Sequence, residues 1–368
     1  MSAPWPEELP KGFEFDRYTV LDCVWRGSAA SLYRAESAAQ GVVALKVFDR
    51  TKSDPLPDRR RLSKRARIGA GVRHPNLAVI LEVGAWRERS YVASEWLEGC
   101  DLEGYLDRWG VMSEHEVAEL GLHLIAGLMA LHHAGALHGD IKPSSVFLCD
   151  GVDGDVIPKL LLSELPRQSA LASPVDSTTR QLAVSTPAYL APEGICGRGV
   201  GPYSDQYSVC AVLYECAVGH PPFEGDSLLA LLRAMAVGTI LPPRSVRPEL
   251  SEALEAALLR GLSSEPQERF GSLRDLGRAL WPLVSEHAKQ PWARSFGGGG
   301  EGAVRASLAL APPLASAGAT PPPSRHRRAL RKPALLLLVA SIALSVGIGA
   351  FYFFTIRRDA GASIRPPS

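Results

Sequence analysis

The hydrophobic periodicity of the chain changes once, near residue 100, from a pattern typical of strands to one typical of helices. Residues 18–97 contain short runs rich in β-branched and aromatic residues, namely YTVLDCVW, ASLYRAE, VVALKVF, LAVILEVGAW and SYVASEWL. Residues 101–283 show mostly helical spacing, and Ser113 followed by Glu116 forms a capping box before the first long helix. This order predicts an α+β fold with two lobes, a small β-rich lobe followed by a larger helical lobe.

Composition defines the limits of the globular region. Apolar and charged residues mix over residues 13–284, as they do in packed domains, with the β-rich N-lobe at 18–97 and the helical C-lobe at 98–284. Residues 285–332 include the runs GGGG and PPP and many alanines, which leave too few bulky apolar side chains to offset the entropy of the chain. We therefore predict a flexible linker, basic at its end, over residues 285–332.

A run of 24 uncharged residues follows the predicted linker, at positions 333–356. As a helix it would rise about 36 Å, which exceeds the ~30 Å thickness of the bilayer hydrocarbon. The run predicts one transmembrane helix, followed by a short tail at 357–368. Ser341, Ser345 and Gly349 form a stripe of small residues that would allow two such helices to pair, so a homodimer through this helix is one expectation.

The charges around the uncharged run predict its orientation. Five Arg and Lys residues at 325–332 precede the run, and three arginines follow it, a bias that places the N-terminal side in the cytoplasm. The start of the sequence, MSAPWPEELPKGFEF, has neither the basic nor the apolar region of a secretory signal. We therefore expect a single-pass membrane protein whose globular domain is cytoplasmic.

The overall charge of the chain is balanced, with 40 Lys and Arg against 39 Asp and Glu. This balance excludes a global basic field of the kind that attracts nucleic acid, so we expect no nucleic-acid partner. Six cysteines without a CxxC pair suit a reducing cytoplasm and argue against a disulfide scaffold. One basic run, Arg59–Arg67, is either a solvated helix face or a docking surface for an acidic protein or for anionic lipid.

Six motifs occur in an order that resembles the subdomains of eukaryotic-like protein kinases of the bacterial Ser/Thr type. They are VALKVF (Val43–Phe48), RHPN (Arg73–Asn76), HGDIKPSSVFL (His138–Leu148), STPAYLAPE (Ser185–Glu193), SDQYSVCAVLYECAVGHPPFEG (Ser204–Gly225) and LSSEPQERFGSL (Leu262–Leu273). The resemblance implies a two-lobed kinase fold and, in a typical member, transfer of the γ-phosphoryl group of ATP to protein hydroxyls in signalling.

Several residues match positions with known roles in that family. The resemblance implies that Lys46 contacts the α and β phosphates, that Asp140 orients the substrate hydroxyl and that Lys142 steadies the γ-phosphate. It also implies that the segment from Glu95 to Leu97 forms the hinge whose backbone meets adenine. These residues are the candidate catalytic and nucleotide-binding groups.

Other matched positions concern the scaffold and its regulation. The resemblance implies that Asp205 braces the catalytic loop and that Glu193 pairs with Arg269 as a structural ion pair. Gly139 replaces the arginine that normally receives an activation-loop phosphate, so we expect no phosphorylation switch through that residue.

The nucleotide side of the predicted cleft departs from the family pattern. In the glycine-rich loop, WRGSAASL, only Gly27 remains, while Trp25 and Ala30 replace the other two glycines. Arg65 replaces the helix glutamate that should pair with Lys46, and we expect the like charges to displace that helix. These changes imply that any ATP is bound weakly.

Both metal-ligand positions also lack their usual residues. Ser145 occupies the position of the catalytic-loop asparagine, and Leu162 that of the metal-binding aspartate, or Ser163 if the register slides by one residue. Magnesium is a hard cation that prefers oxygen ligands and supplies much of the charge stabilisation in phosphoryl transfer. We therefore do not expect these positions to hold magnesium.

The departures favour a membrane-tethered pseudokinase that binds cytoplasmic signalling proteins. One alternative is an active, atypical Ser/Thr kinase that uses Asp140 and Lys142 and regains a metal ligand from Glu164 or from an aspartate of the segment 150–155. A further alternative is a structural anchor that has no ligand pocket.

Overall fold

The structure is a computed structural model and describes residues 8–27, 30–48, 69–87, 89–151, 156–162 and 187–297. The strands in these ranges are β1 (Glu14–Phe15), β2 (Tyr18–Arg26), β3 (Ala30–Ser37), β4 (Gly41–Phe48), β5 (Ile80–Trp86), β6 (Arg89–Glu95), β7 (Gly99–Asp101), β8 (Val146–Asp150) and β9 (Val156–Leu160). The α-helices are α1 (Leu102–Trp109), α2 (Glu114–His133), α3 (Pro192–Ile195), α4 (Pro202–Val218), α5 (Leu228–Val237), α6 (Pro243–Val246), α7 (Glu252–Gly261), α8 (Leu273–Leu280), α9 (Glu286–Lys289) and α10 (Ala293–Phe296).

The N-lobe is an antiparallel sheet of six strands in the order β1-β2-β3-β4-β6-β5. Side chains alternate between the two faces along each strand. Val43, Leu45 and Val47 of β4 are buried in the N-lobe core. The intervening residues Ala44 and Lys46 therefore lie on the opposite face, which we call the cleft face.

The C-lobe is built around α2 and α4, which are buried along most of their length. α2 begins at the predicted capping box, in which the Ser113 N–H donates to Glu116 Oε2 at 2.7 Å and the Ser113 side chain accepts the Glu116 N–H. Apolar side chains on nearly every face of α2 explain why it is buried rather than amphipathic. The loop between α2 and β8 carries the motif HGD.

The RHPN motif anchors the chain before β5 to the small sheet of β7, β8 and β9. Asn76 Nδ2 donates to the Pro158 carbonyl at 2.8 Å, and the Asn76 carbonyl accepts the Leu160 N–H at 2.9 Å. The Ala78 N–H then donates to the Leu160 carbonyl at 2.9 Å. The edge of β9 thus positions the segment that leads into the N-lobe sheet.

The predicted two-lobed α+β fold, with a β-rich N-lobe and a helical C-lobe, is confirmed. Among the helices of the described ranges, none is both long and apolar enough to cross a membrane. The predicted span at 333–356 and the basic run Arg59–Arg67 lie outside the described residues.

The structure differs from the prediction at the start of the linker, which the composition places at residue 285. Residues 285–297 instead form α9, α10 and the turn between them, and Trp292 and Phe296 are buried in the C-lobe core. The Trp292 ring meets the ring of His123 at 5.0 Å in an edge-to-face arrangement. Burial lowers the pKa of His123 to about 3, so this ring packs as a neutral group. A segment whose average composition resembles a linker therefore contributes two aromatic side chains to the C-lobe core.

Replacing Trp292 by alanine should therefore lower the free energy of unfolding by about 3–5 kcal/mol, because the change leaves a cavity in the C-lobe core. Trp109→Ala is the matched control, since that indole is 42% exposed and its loss should change stability by only about 0.5 kcal/mol. Chemical denaturation of the two variants measures the difference. Equal effects of the two changes would contradict the assignment of 285–297 to the folded domain.

Candidate active site

One buried carboxylate fixes the backbone of the catalytic loop, the segment that carries the HGD motif. Asp205, in the first turn of α4, accepts the backbone N–H groups of His138 at 3.0 Å and Gly139 at 2.7 Å. His132 Nε2, at the end of α2, lies 2.7 Å from the same carboxylate. The side chain of Asp205 is 1% exposed, so these donors replace the water that it has lost. Asp205 thus occupies the bracing position that the sequence predicts.

Gly139 has a backbone φ of +72°, in the left-handed region. A glycine adopts this conformation without the steric penalty of about 1–2 kcal/mol that other residues meet. The replacement of arginine by glycine in the HGD motif therefore relaxes the loop at the point where both adjacent amides turn toward Asp205. The loop keeps its shape without the cationic side chain.

Asp140 and Lys142, the two candidate catalytic residues, are brought together by the loop. Lys142 Nζ lies 3.2 Å from Asp140 Oδ2, and both side chains are largely buried. The two side chains therefore form an ion pair within the loop. Asp140 lies at the start of the turn that leads into β8, and the cation that contacts it is Lys142, two residues further along the chain.

Ser145 is fully buried at the position of the first metal ligand. Its Oγ accepts the Lys142 N–H at 2.9 Å and donates to the Lys142 carbonyl at 2.8 Å. The hydroxyl therefore closes the turn of the loop.

Leu162, at the position of the second metal ligand, makes apolar contacts. It packs against the C-lobe core. A Cβ atom added to Gly69 would lie 3.4 Å from Leu162 Cδ1 and 3.4 Å from Ile80 Cδ1, so the surroundings of Leu162 are apolar. The preceding residue, Leu161, donates its N–H to the Ser145 carbonyl at 2.9 Å, which fixes the two positions relative to each other. A leucine in this environment supplies no oxygen ligand.

The metal-ligand chemistry of the cleft can be compared with what magnesium needs. Among the side chains of the described residues, no group of three or more His, Cys, Asp or Glu could hold a metal ion. Asp150, one of the substitute ligands considered from the sequence, is exposed at the end of β8. Glu164, Asp153 and Asp155 lie outside the described residues. Ser145 and Leu162 do not fit magnesium.

The hinge begins with an ion pair that sequence reasoning missed. Glu95 Oε1 accepts the Val79 N–H at 2.8 Å and lies 2.7 Å from Lys159 Nζ on β9. Leu97, two residues further on, is half-buried. The sequence contained one indication of this ion pair. Lys159 is the only charged residue of the apolar strand VIPKL, and a charged side chain in such a strand needs a partner. This pair fixes the hinge to the C-lobe sheet.

The glycine-rich loop and Lys46 form the N-lobe side of the site. The Gly27 N–H donates to the Ala30 carbonyl at 2.9 Å, and Trp25 lies over Gly27. Lys46 Nζ lies 5.9 Å from the centre of the Phe48 ring. Arg65, which we expect to repel Lys46, is outside the described residues, so the displacement of that helix stays a prediction.

The predicted ion pair between Glu193 and Arg269 is present and nearly buried. The guanidinium donates to both carboxylate oxygens, at 2.9 and 2.8 Å, and the Ser204 hydroxyl donates to the same carboxylate at 2.8 Å. Burial opposes the charged form of Glu193, but the hydrogen bonds from Arg269 and Ser204 outweigh it and hold the pKa below its ordinary value. Arg269 also stacks over the Tyr207 ring, 5.0 Å from its centre.

Comparison with known proteins identifies the family. The family model described as the protein kinase domain matches residues 18–282. This chain belongs to the protein kinase family. Its site residues are therefore the counterparts, intact or replaced, of a phosphoryl-transfer centre.

The similar curated proteins are bacterial Ser/Thr kinases. The chain is 27% identical to the serine/threonine-protein kinase PknH of Mycobacterium tuberculosis over 278 residues, which cover 75% of this chain and 43% of that protein. It is 30% identical to PknE of the same organism over 276 residues, 74% of this chain and 47% of that protein. It is 29% identical to Pkn1 of Myxococcus xanthus over 289 residues, 78% of this chain and 41% of that protein. The chain thus spans less than half the length of these relatives.

The solved structures agree on the fold. The crystal structure of the PknI kinase domain from Mycobacterium tuberculosis matches with a TM-score of 0.60 and 24% identity, covering 75% of this chain and all of that one. The expected resemblance to bacterial Ser/Thr protein kinases is confirmed. ATP and magnesium binding are general properties of this family.

Breaking the buried ion pair should destabilise the protein strongly. Arg269→Ala should lower the free energy of unfolding by about 3–5 kcal/mol, because Glu193 is left charged and largely buried. Adding Glu193→Ala to this variant should recover part of the loss, which chemical denaturation measures.

The stability that Glu193 contributes should also depend on pH. Because the pKa of Glu193 is lowered in the folded protein, its contribution to the free energy of unfolding is full above the ordinary pKa of 4.5 and is lost as the pH falls through the folded pKa. A penalty for Glu193→Gln that grows as the pH falls would contradict this account.

Proposed function

We propose that this protein is a membrane-anchored pseudokinase of the bacterial Ser/Thr type, which binds partners through its kinase fold and transfers phosphate poorly. The observation that carries the proposal is the state of the two metal-ligand positions. Ser145 is buried with its hydroxyl bonded within its own turn, and Leu162 packs against apolar residues. Neither position offers an oxygen to magnesium.

The rate of phosphoryl transfer should be greatly reduced. Typical kinases turn over at about 1–100 per second, and the barrier is lowered mainly by positioning and by neutralising charge on the phosphates. Removing one preorganised group of this kind costs about 10²–10³ in rate in other enzymes. Effects of groups that act as a unit do not multiply, so we expect a combined loss of roughly three decades or more. ATP binds weakly in this account, through the base rather than through metal-bound phosphates.

The retained scaffold suits a binding role. The Asp205 brace and the pair of Glu193 with Arg269 keep the catalytic loop and the C-lobe in an ordered arrangement that a partner can recognise. We propose that the partners are cytoplasmic signalling proteins and that the basic run Arg59–Arg67 docks an acidic surface. The uncharged run at 333–356 would anchor the domain on the cytoplasmic side of the membrane, with pairing of two helices giving a homodimer.

A second candidate is an active, atypical Ser/Thr kinase. It is favoured by the ordered pair of Asp140 and Lys142 in a loop that is fully braced. In this account Glu164 or an aspartate of the segment 150–155 would replace the lost metal ligand. The two candidates differ in one measurable property, magnesium-dependent phosphoryl transfer.

Restoring the family residues should raise activity if the metal positions are what limits it. We expect the full chain to phosphorylate a generic protein acceptor very slowly, and Ser145→Asn with Leu162→Asp to raise the magnesium-dependent rate by about tenfold or more. The matched control is Ser145→Asn with Leu161→Asp, which adds the same groups but places the carboxylate one residue too early. Incorporation of radiolabelled phosphate into the acceptor protein measures the rates of the wild type and of the two double variants.

Two outcomes would overturn the proposal. One is wild-type turnover in the ordinary range of about 1–100 per second that Asp140→Asn abolishes, which would return the chain to the active kinases. The other is an equal gain in the matched control, which would show that the position of the carboxylate is unimportant.

A further inference from the structure

Residues 285–297, which we call the strap, are the last described residues of the C-lobe. Two of its aromatic side chains, Trp292 and Phe296, are buried, with their ring centres 5.8 Å apart. Phe296 packs so closely on α8 that a Cβ atom at Gly277 would overlap its ring. The Trp292 ring meets the ring of His123, on α2, edge to face. The strap therefore contacts α8 through one aromatic residue and α2 through the other.

His123 also contacts the RHPN motif, which leads into β5 of the N-lobe. Asn76 Nδ2 lies 2.9 Å from His123 Nδ1 and 2.8 Å from the Pro158 carbonyl oxygen. A carbonyl only accepts hydrogen bonds, so the nitrogen of the Asn76 amide must lie here, and its two hydrogens serve Pro158 and His123. His123 Nδ1 is therefore an acceptor, and the neutral ring carries its hydrogen on Nε2. The contact with Asn76 requires the ring to stay in this orientation.

The RHPN motif and the residues after it, 74–79, connect β5 to β9 and to the hinge, and we call this segment the lobe junction. The Asn76 carbonyl and the Ala78 N–H both bond to the backbone of Leu160, and the Val79 N–H donates to Glu95. The backbone of α2 lies directly against the segment, because a Cβ atom at residue 127 would lie 2.9 Å from the Asn76 carbonyl oxygen. A change in the contacts of α2 with Asn76 therefore reaches the bonds that fix the start of β5 and the hinge.

We propose that the strap is a conformational device that controls the lobe junction. When the strap is docked, Trp292 holds the His123 ring where it accepts the hydrogen bond of Asn76. When the strap is released, the ring is free to turn and the lobe junction loses this contact. Residue 298 follows directly on the strap, so a partner or a force that displaces the strap loosens the lobe junction without entering the cleft. The inference goes beyond the proposed function and depends on neither nucleotide binding nor phosphoryl transfer.

Amide hydrogen exchange of the full chain, followed by mass spectrometry, tests this coupling. The quantity measured is the exchange rate of peptides covering 74–80 and 156–160, divided by the rate of a reference peptide covering α7. Trp292→Ala should raise this ratio by about tenfold or more, because the junction then opens without unfolding of the whole domain. Leu231→Ala is the matched control, since it also truncates a large buried side chain, but in a separate apolar cluster on α5. A general loss of stability speeds exchange in all peptides alike, so the control should leave the ratio unchanged.

Two further variants keep the test independent of whether Trp292→Ala folds. Trp292→Phe is a milder change and should raise the ratio in the same direction. His123→Phe should raise the ratio while peptides of the strap stay protected, because a phenyl ring keeps the aromatic contact with Trp292 but offers Asn76 no acceptor. A ratio that rises equally in Leu231→Ala, or that stays at the wild-type value in every folded variant of Trp292 and in His123→Phe, would overturn the proposal. Faster exchange of the strap in His123→Phe would also overturn it, because the strap would then depend on the junction.

Discussion

The buried carboxylate of Asp205 is the contact on which the rest of the site depends. It hydrogen-bonds to the backbone amides of His138 and Gly139 and to the ring of His132. These bonds join α2, the catalytic loop and α4. A charged group that is 1% exposed is stable only because each lost water is replaced by a donor. The loop conformation, and with it the position of Asp140, follows from these bonds.

The described residues keep the scaffold of a kinase, whereas Ser145 and Leu162 stand at the two metal-ligand positions. The buried bonds that fix the loop and the C-lobe are present, and polar side chains of the catalytic loop contact one another within the loop. Ser145 bonds to the backbone of Lys142, and Lys142 pairs with Asp140. Each of these contacts satisfies a polar group within the protein.

The sequence predicted the parts of the structure that depend on local pattern or on family motifs. Strand and helix periodicity gave the lobe order, and the motifs located Asp205 and the pair of Glu193 with Arg269. The pair of Glu95 with Lys159 was missed because it depends on the register of β9 against the hinge, which no motif records. The folded segment containing Trp292 was missed because composition averages over its neighbours, whereas burial depends on single aromatic side chains.

The central claim, that the described residues of this cleft offer magnesium no ligand, is tested most directly by the magnesium dependence of ATP affinity. The Kd of the full chain for ATP should be measured by calorimetry with EDTA and again with magnesium at millimolar concentration. The account predicts that the two Kd values agree within about threefold. An affinity that is tighter by about tenfold or more with magnesium, worth about 1.4 kcal/mol, would contradict it.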